Sequence, residues 1–213
     1  MGARKDIARE AAVRKADVAT LRPQKEPAGN VARNEQARSR LIDALFVLMG
    51  RMRFSEITVS DLVREAGVAR VTYYRNFEAK EDIVEAYMEG LHRDIVRESV
   101  PFGAAPSVER LLDEDALTTG FARSLALTRG ESERILALVH GGFTTTLQHM
   151  MDGYLEERLG DMPASSIKRF ELYFVSGAML NVLVQWLEQG AEEEPADLAL
   201  FVAQLLHSGL PQA

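Results

Sequence analysis

The chain contains no cysteine, so disulfides, thiolate metal sites and cysteine nucleophiles are excluded. Its four histidines (His92, His140, His149 and His207) are scattered, with no HExxH or paired-ligand spacing, and no metal site is expected. No GxSxG elbow, Walker loop or GxGxxG fingerprint occurs. Gly141-Gly142 reads as a helix break rather than a phosphate cradle, and Glu192-Glu193-Glu194 as a solvated carboxylate run. Neither catalysis nor a resident cofactor is expected. The most apolar long stretch, Tyr173 to Leu187, is interrupted by Ser176, Asn181 and Gln185 and falls short of the roughly 20 apolar residues of a membrane helix. The first residues, MGARKDIARE, carry charge where a secretion signal has its apolar core. Asp6 stands where a myristoylation pattern needs Ser or Thr. The expectation is a cytoplasmic protein without a membrane partner. No run alternates with the period of a strand, and no long repeat or low-complexity tract is present. The fold class expected is all-α.

What the chain does have is 213 residues, 46% of them hydrophobic types, enough for a substantial core. The net charge of −7 is unevenly distributed. Residues 1–80 hold 16 Lys and Arg against 10 Asp and Glu, and residues 81–213 hold 9 against 22. A basic front on an acidic body is the asymmetry expected when one end meets phosphate.

Residues 1–34 read as a polar, flexible extension. Ile7, Ala11, Val18 and Leu21 allow one thin helical stripe, and Pro23, Pro27, Gly29 and Asn30 interrupt the chain beyond it. From Glu35 the pattern strengthens, with Leu41, Ala44, Leu45, Leu48 and Met49 on one helical face. Thr58 caps a short helix with Asp61 three residues on, as in a capping box. Leu62, Val63 and Ala66 face inward, and Gly67 makes a turn. A second short helix runs from about Ala69 to Phe77, and a long one from Lys80 to about Arg97. PFGAAPS (101–107) is a boundary loop. Further helices are expected near 107–128, 132–140, 143–159, 165–189 and 195–208. The domains expected are an extension over 1–34, a helix-turn-helix domain over 35–91 and a helical regulatory and dimerisation domain over 92–213.

The window 58–80, TVSDLVREAGVARVTYYRNFEAK, carries the functional signal. Two short helices joined by a glycine turn are the arrangement that places one helix in the major groove of DNA. Such a helix needs small or groove-compatible residues at its start and phosphate donors on its flanks. Ala69, Arg70, Val71 and Thr72 meet the first need. Arg70 suits a bidentate pair with guanine, and Val71 suits a thymine methyl. Thr72, Tyr74 and Lys80 can each donate a hydrogen bond to phosphate. Phe77 falls on another face and reads as core.

This span, from about Glu35 to Leu91, resembles the DNA-binding domain of the tetracycline-repressor (TetR) family. The shared motif is Ala66-Gly67-Val68, then Thr72-Tyr73-Tyr74-Arg75-Asn76-Phe77, then Lys80, all in register. The resemblance implies that Arg70, Val71 and Tyr74 face bases or the groove, that Ser60, Thr72 and Lys80 meet the backbone, and that Tyr73 is core. Three positions depart from the family pattern. Ala69 stands where a capping Ser is usual, Val71 where Gly is frequent, and Asn76 where an aromatic residue or His is frequent.

The resemblance also implies an all-α C-terminal domain that dimerises and holds a small-molecule effector. Phe170, Phe174, Gly177, Ala178, Val182 and Trp186 are expected on one face. With Leu198, Phe201, Val202 and Leu205 of the last helix they would form a four-helix dimer interface. Phe143, His149, Met150, Tyr154, Tyr173, Asn181 and Gln185 are the pocket candidates. The function expected is a homodimeric repressor on a near-palindromic double-stranded DNA operator, released by an effector. The alternative is a protein-binding adaptor on the same fold.

Overall fold

A computed structural model describes residues 28–99, 114–159 and 167–208. The chain divides into two compact units, residues 1–36 and 37–213. Of the first, the described part is the start of helix α1, Ala28–Met49. This helix begins seven residues before the expected Glu35. Gly29 and Asn30 lower helix propensity without forbidding the conformation. The rest of the expected extension, residues 1–27, lies outside the described residues.

Within the second unit, the remainder of α1 is followed by a 3-10 turn, Phe54–Glu56. Two short helices come next, α2 (Val59–Ala66) and α3 (Arg70–Asn76), and then the long α4 (Glu81–Ser99). The remaining helices are α5 (Glu114–Gly130), α6 (Ser132–His140), α7 (Thr144–Leu159), α8 (Ile167–Glu188) and α9 (Pro195–Ser208). No strand occurs among the described residues, and the all-α class stands.

Local chemistry explains the boundaries. The Thr58 hydroxyl accepts the Asp61 N–H at 3.2 Å, and the Asp61 carboxylate accepts the Thr58 N–H at 3.1 Å, which completes the capping box of α2. Gly67 ends α2 at φ 63°, a left-handed conformation suited to glycine. The Asp82 carboxylate accepts the N–H groups of Glu78 and Ala79 and closes the turn into α4.

Leu41, Leu45, Leu62, Tyr73 and Ile83 are fully buried and hold the head together around α2 and α3. In the body, α9 packs on α5, α8 on α7 and α6, and α4 on α5 and α7. Residues Arg169–Glu188 of α8 are long and apolar enough to cross a membrane by length and composition, which the expectation for Tyr173–Leu187 did not allow. Half of that window is buried inside the protein.

Candidate nucleic-acid interface and effector cavity

Helix α3 has an inside and an outside. Tyr73 and Phe77 are buried, with ring centroids 6.3 Å apart. Burial pushes the Tyr73 phenol up to about 12. Val71 and Tyr74 point outward, 66% and 53% exposed, with Arg70 and Arg75 beside them. Arg70 is held in a cluster. Its Nη2 donates to the Tyr74 hydroxyl at 3.2 Å, its Nη1 to the Ser60 hydroxyl at 3.4 Å, and its guanidinium lies 5.6 Å from the Tyr74 ring centroid. Ser60, Arg70, Val71 and Tyr74 therefore share one exposed surface across α2 and α3. Thr72 sits at its margin, partly buried.

Ala69 is the N-cap of α3, in extended conformation (φ −73°, ψ 148°) and without a side-chain cap. Its carbonyl starts the helix by accepting the N–H groups of Thr72 and Tyr73. Asn76, unusual for the motif, turns back to donate to the Thr72 carbonyl at 2.8 Å.

Lys80 lies apart from that surface. Its ammonium donates to the carbonyls of Phe54 (2.7 Å), Ile57 (3.0 Å) and Ser55 (3.2 Å), and lies 4.6 Å from the Phe54 ring centroid. An ammonium has three donors, and all are engaged inside the head. Lys80 clips the 3-10 turn to the start of α4, where sequence reasoning placed a phosphate anchor.

The pocket candidates disperse. Met150 and Tyr154 line an enclosed, apolar cavity of about 30 Å³ between α4, α5, α7 and α8, together with His92, Phe121, Leu125, Thr128, Met151 and Met179. His149 lies in an open groove on α4 and α7. Phe143 packs edge-on against Phe54 at 4.8 Å. Tyr173 is 40% exposed and donates to Glu156 at 3.1 Å; that carboxylate raises its phenol pKa. Asn181 and Gln185 are exposed on the outer face of α8. The lining residues missed by sequence have ordinary core spacing, which carries no sign of a void. A larger open cleft, about 1170 Å³, lies between the end of α1 and α6.

The outer face of α8 carries Phe170 and Phe174, 66% and 71% exposed, with Gly177 and Ala178 beyond them. A Cβ at Gly177 would meet nothing within the protomer. Phe201 of α9 is 53% exposed, and Leu205 is partly buried. Val182 and Trp186 do not join this face. Each step of four residues advances about 40° around a helix, so the series 170, 174, 178, 182, 186 winds off the stripe. Val182 packs against the core. Trp186 is buried under the Arg129 guanidinium and donates to the Glu193 carbonyl at 3.2 Å.

Residues 41–87 match the profile described as "Bacterial regulatory proteins, tetR family", and residues 138–208 match a TetR-type "Transcriptional regulator C-terminal region". The chain belongs to the tetR family of transcriptional regulators. As a TetR-family protein it is a DNA-binding regulator. The fold agrees with a tetR-family regulator from Streptomyces coelicolor (17% identity, 82% of this chain and 80% of that one, TM-score 0.55). It also agrees with the fatty acid degradation regulator FadR from Bacillus halodurans (18%, 83% and 97%, 0.52). A third similar structure is FadR from Bacillus subtilis in complex with stearoyl-CoA (20%, 81% and 98%, 0.51). No curated protein matches the chain.

Proposed function

We propose that this TetR-family protein is a homodimeric repressor that reads a near-palindromic operator with helix α3 of each protomer. The observation that carries the reading is the exposed Ser60–Arg70–Tyr74 cluster, with Val71 beside it, on a helix whose other face is buried. Arg70 and Val71 contact bases, Tyr74 lies in the groove, and Ser60 and Thr72 meet the backbone. Ala69, lacking a side chain beyond Cβ, lets the start of α3 approach closely. The reading takes residues 35–91 as the head, 92–213 as the regulatory domain and 1–34 as a basic extension. A cytoplasmic location goes with this reading, and no catalytic activity is assigned to the protein.

Dimerisation through Phe170, Phe174, Gly177, Ala178, Phe201 and Leu205 covers the exposed apolar face of α8 and α9. The effector enters between α4, α5, α7 and α8. Among the described lining residues the polar groups are His92, Ser124, Thr128 and Tyr154, with no Asp, Glu, Lys or Arg, and the rest are apolar, so the effector class is one with a largely apolar body. At about 30 Å³ the cavity holds roughly one water. Binding must therefore move the flexible Met150, Met151 and Met179 side chains. That movement separates the bound and free states, and an effector that favours the expanded state releases DNA.

Replacing Arg70 with Ala tests the reading. Affinity for a duplex enriched by the wild-type protein from a random library falls about tenfold or more, while affinity for random duplex falls much less. Equal loss on both contradicts base reading by Arg70. Failure of a pure dimer to bind DNA at low salt favours the adaptor.

A further inference from the structure

The head and the body meet at a side-chain cluster that the proposed function does not use. Arg134, in the first turn of α6, donates through Nη2 to the Asp43 carboxylate of α1 at 2.7 Å. Its guanidinium lies 5.4 Å from the Phe46 ring centroid of α1 and 5.8 Å from that of Tyr87 in α4. Those two rings pack edge to face at 4.6 Å. Tyr87 is buried, and its hydroxyl donates to the Glu131 carboxylate at 3.0 Å, which lies 3.7 Å from Arg134 Nη1. One guanidinium thus touches the head helix, the connecting helix and the body.

Among the described residues, Arg123 of α5 also donates to the Glu98 carbonyl near the end of α4 at 3.2 Å, while two further contacts of the head with the body are apolar and less directional. Phe54 packs on Phe143, and Met49 lies where a Cβ on Gly141 would meet it at 2.8 Å. Apolar contacts tolerate rolling, whereas a charge-assisted hydrogen bond fixes direction. The cluster also adjoins the cavity. Thr128 lines the cavity, and its carbonyl accepts the N–H of Glu131.

We propose that Arg134 is a positioning residue that fixes the DNA-binding head against the body through Asp43, Phe46 and Tyr87, and so sets the register of the two heads in the dimer. The proposal rests on the dimeric DNA-binding reading above. Register matters only when both heads must meet half-sites a fixed distance apart, roughly 34–36 Å or a small multiple. Random DNA is held through phosphates and does not need it.

The test uses the full chain and three probes: a duplex enriched by the wild type from a random library, a duplex carrying one of its half-sites, and random duplex. Asp43→Asn removes a negative charge and Arg134→Leu a positive one, so generic attraction to DNA moves in opposite directions. The preference for the full site over random duplex nonetheless falls in both, about fivefold for Asp43→Asn and about tenfold for Arg134→Leu. Preference for the half-site over random duplex is unchanged. An unchanged full-site preference in both variants overturns the proposal, as does a loss of full-site and half-site preference in parallel, which marks damage to the head itself. If the wild type enriches no duplex, the DNA-binding reading fails and takes this proposal with it; that result is distinct from enrichment that the variants leave untouched.

Discussion

Arg70 and Lys80 are both basic side chains of the same helix-turn-helix, and their neighbours give them opposite tasks. Arg70 is exposed and steered by two hydroxyls, Ser60 and Tyr74. Lys80 is partly buried and saturated by three backbone carbonyls. The motif's spacing made both legible as functional positions. It could not tell a phosphate donor from a carbonyl clip, because that depends on where the chain at 54–57 passes, 23 to 26 residues away. Lys80→Ala should therefore cost about 1 kcal/mol or more of stability in urea unfolding, since two part-buried carbonyls, of Phe54 and Ile57, lose their donor. A variant of unchanged stability whose DNA affinity falls on every sequence would return Lys80 to the phosphate-anchor role. Tyr73 shows the converse. Its phenol suggests a polar task, yet the ring is fully buried, as the family pattern implied.

At the scale of elements, the capping box at Thr58 and Asp61 and the left-handed Gly67 follow directly from local sequence. So do most helix ends, because caps, glycines and prolines act within a few residues. The recognition helix is the exception in chemistry rather than position. It is only seven residues long and begins at Ala69 without a side-chain cap. Ala69→Ser supplies the missing acceptor and should raise stability by about 1 kcal/mol, measured by the same unfolding assay. No gain, or a loss, would mean that the extended backbone at Ala69 does not present a serine hydroxyl to α3. Helix α8 marks the limit of pattern reading. A four-residue stride placed Val182 and Trp186 with Phe170, while the helix itself winds them onto the core. Asn181 and Gln185, read as pocket residues, instead fall on the exposed side.

At the scale of the whole molecule, the all-α architecture was readable from periodicity, and the cavity was not. A void between four helices is made by residues of ordinary core type, so only two of the seven pocket candidates, Met150 and Tyr154, line it. The outer face of α8 leaves Phe170 and Phe174 exposed, and a second copy of the chain is its proposed occupant. Phe174→Glu should weaken dimerisation about 30-fold or more, seen as a monomer in light scattering. A dimer that persists unchanged would move the interface elsewhere. That paired α3 helices read DNA can be put to the proof by selecting duplexes from a random library with the full-length protein. Enrichment of a near-palindromic motif is expected, with half-site centres about one helical turn, or a small multiple of it, apart. Failure to enrich any sequence at low salt, by a protein shown to be a folded dimer, would contradict paired reading by α3.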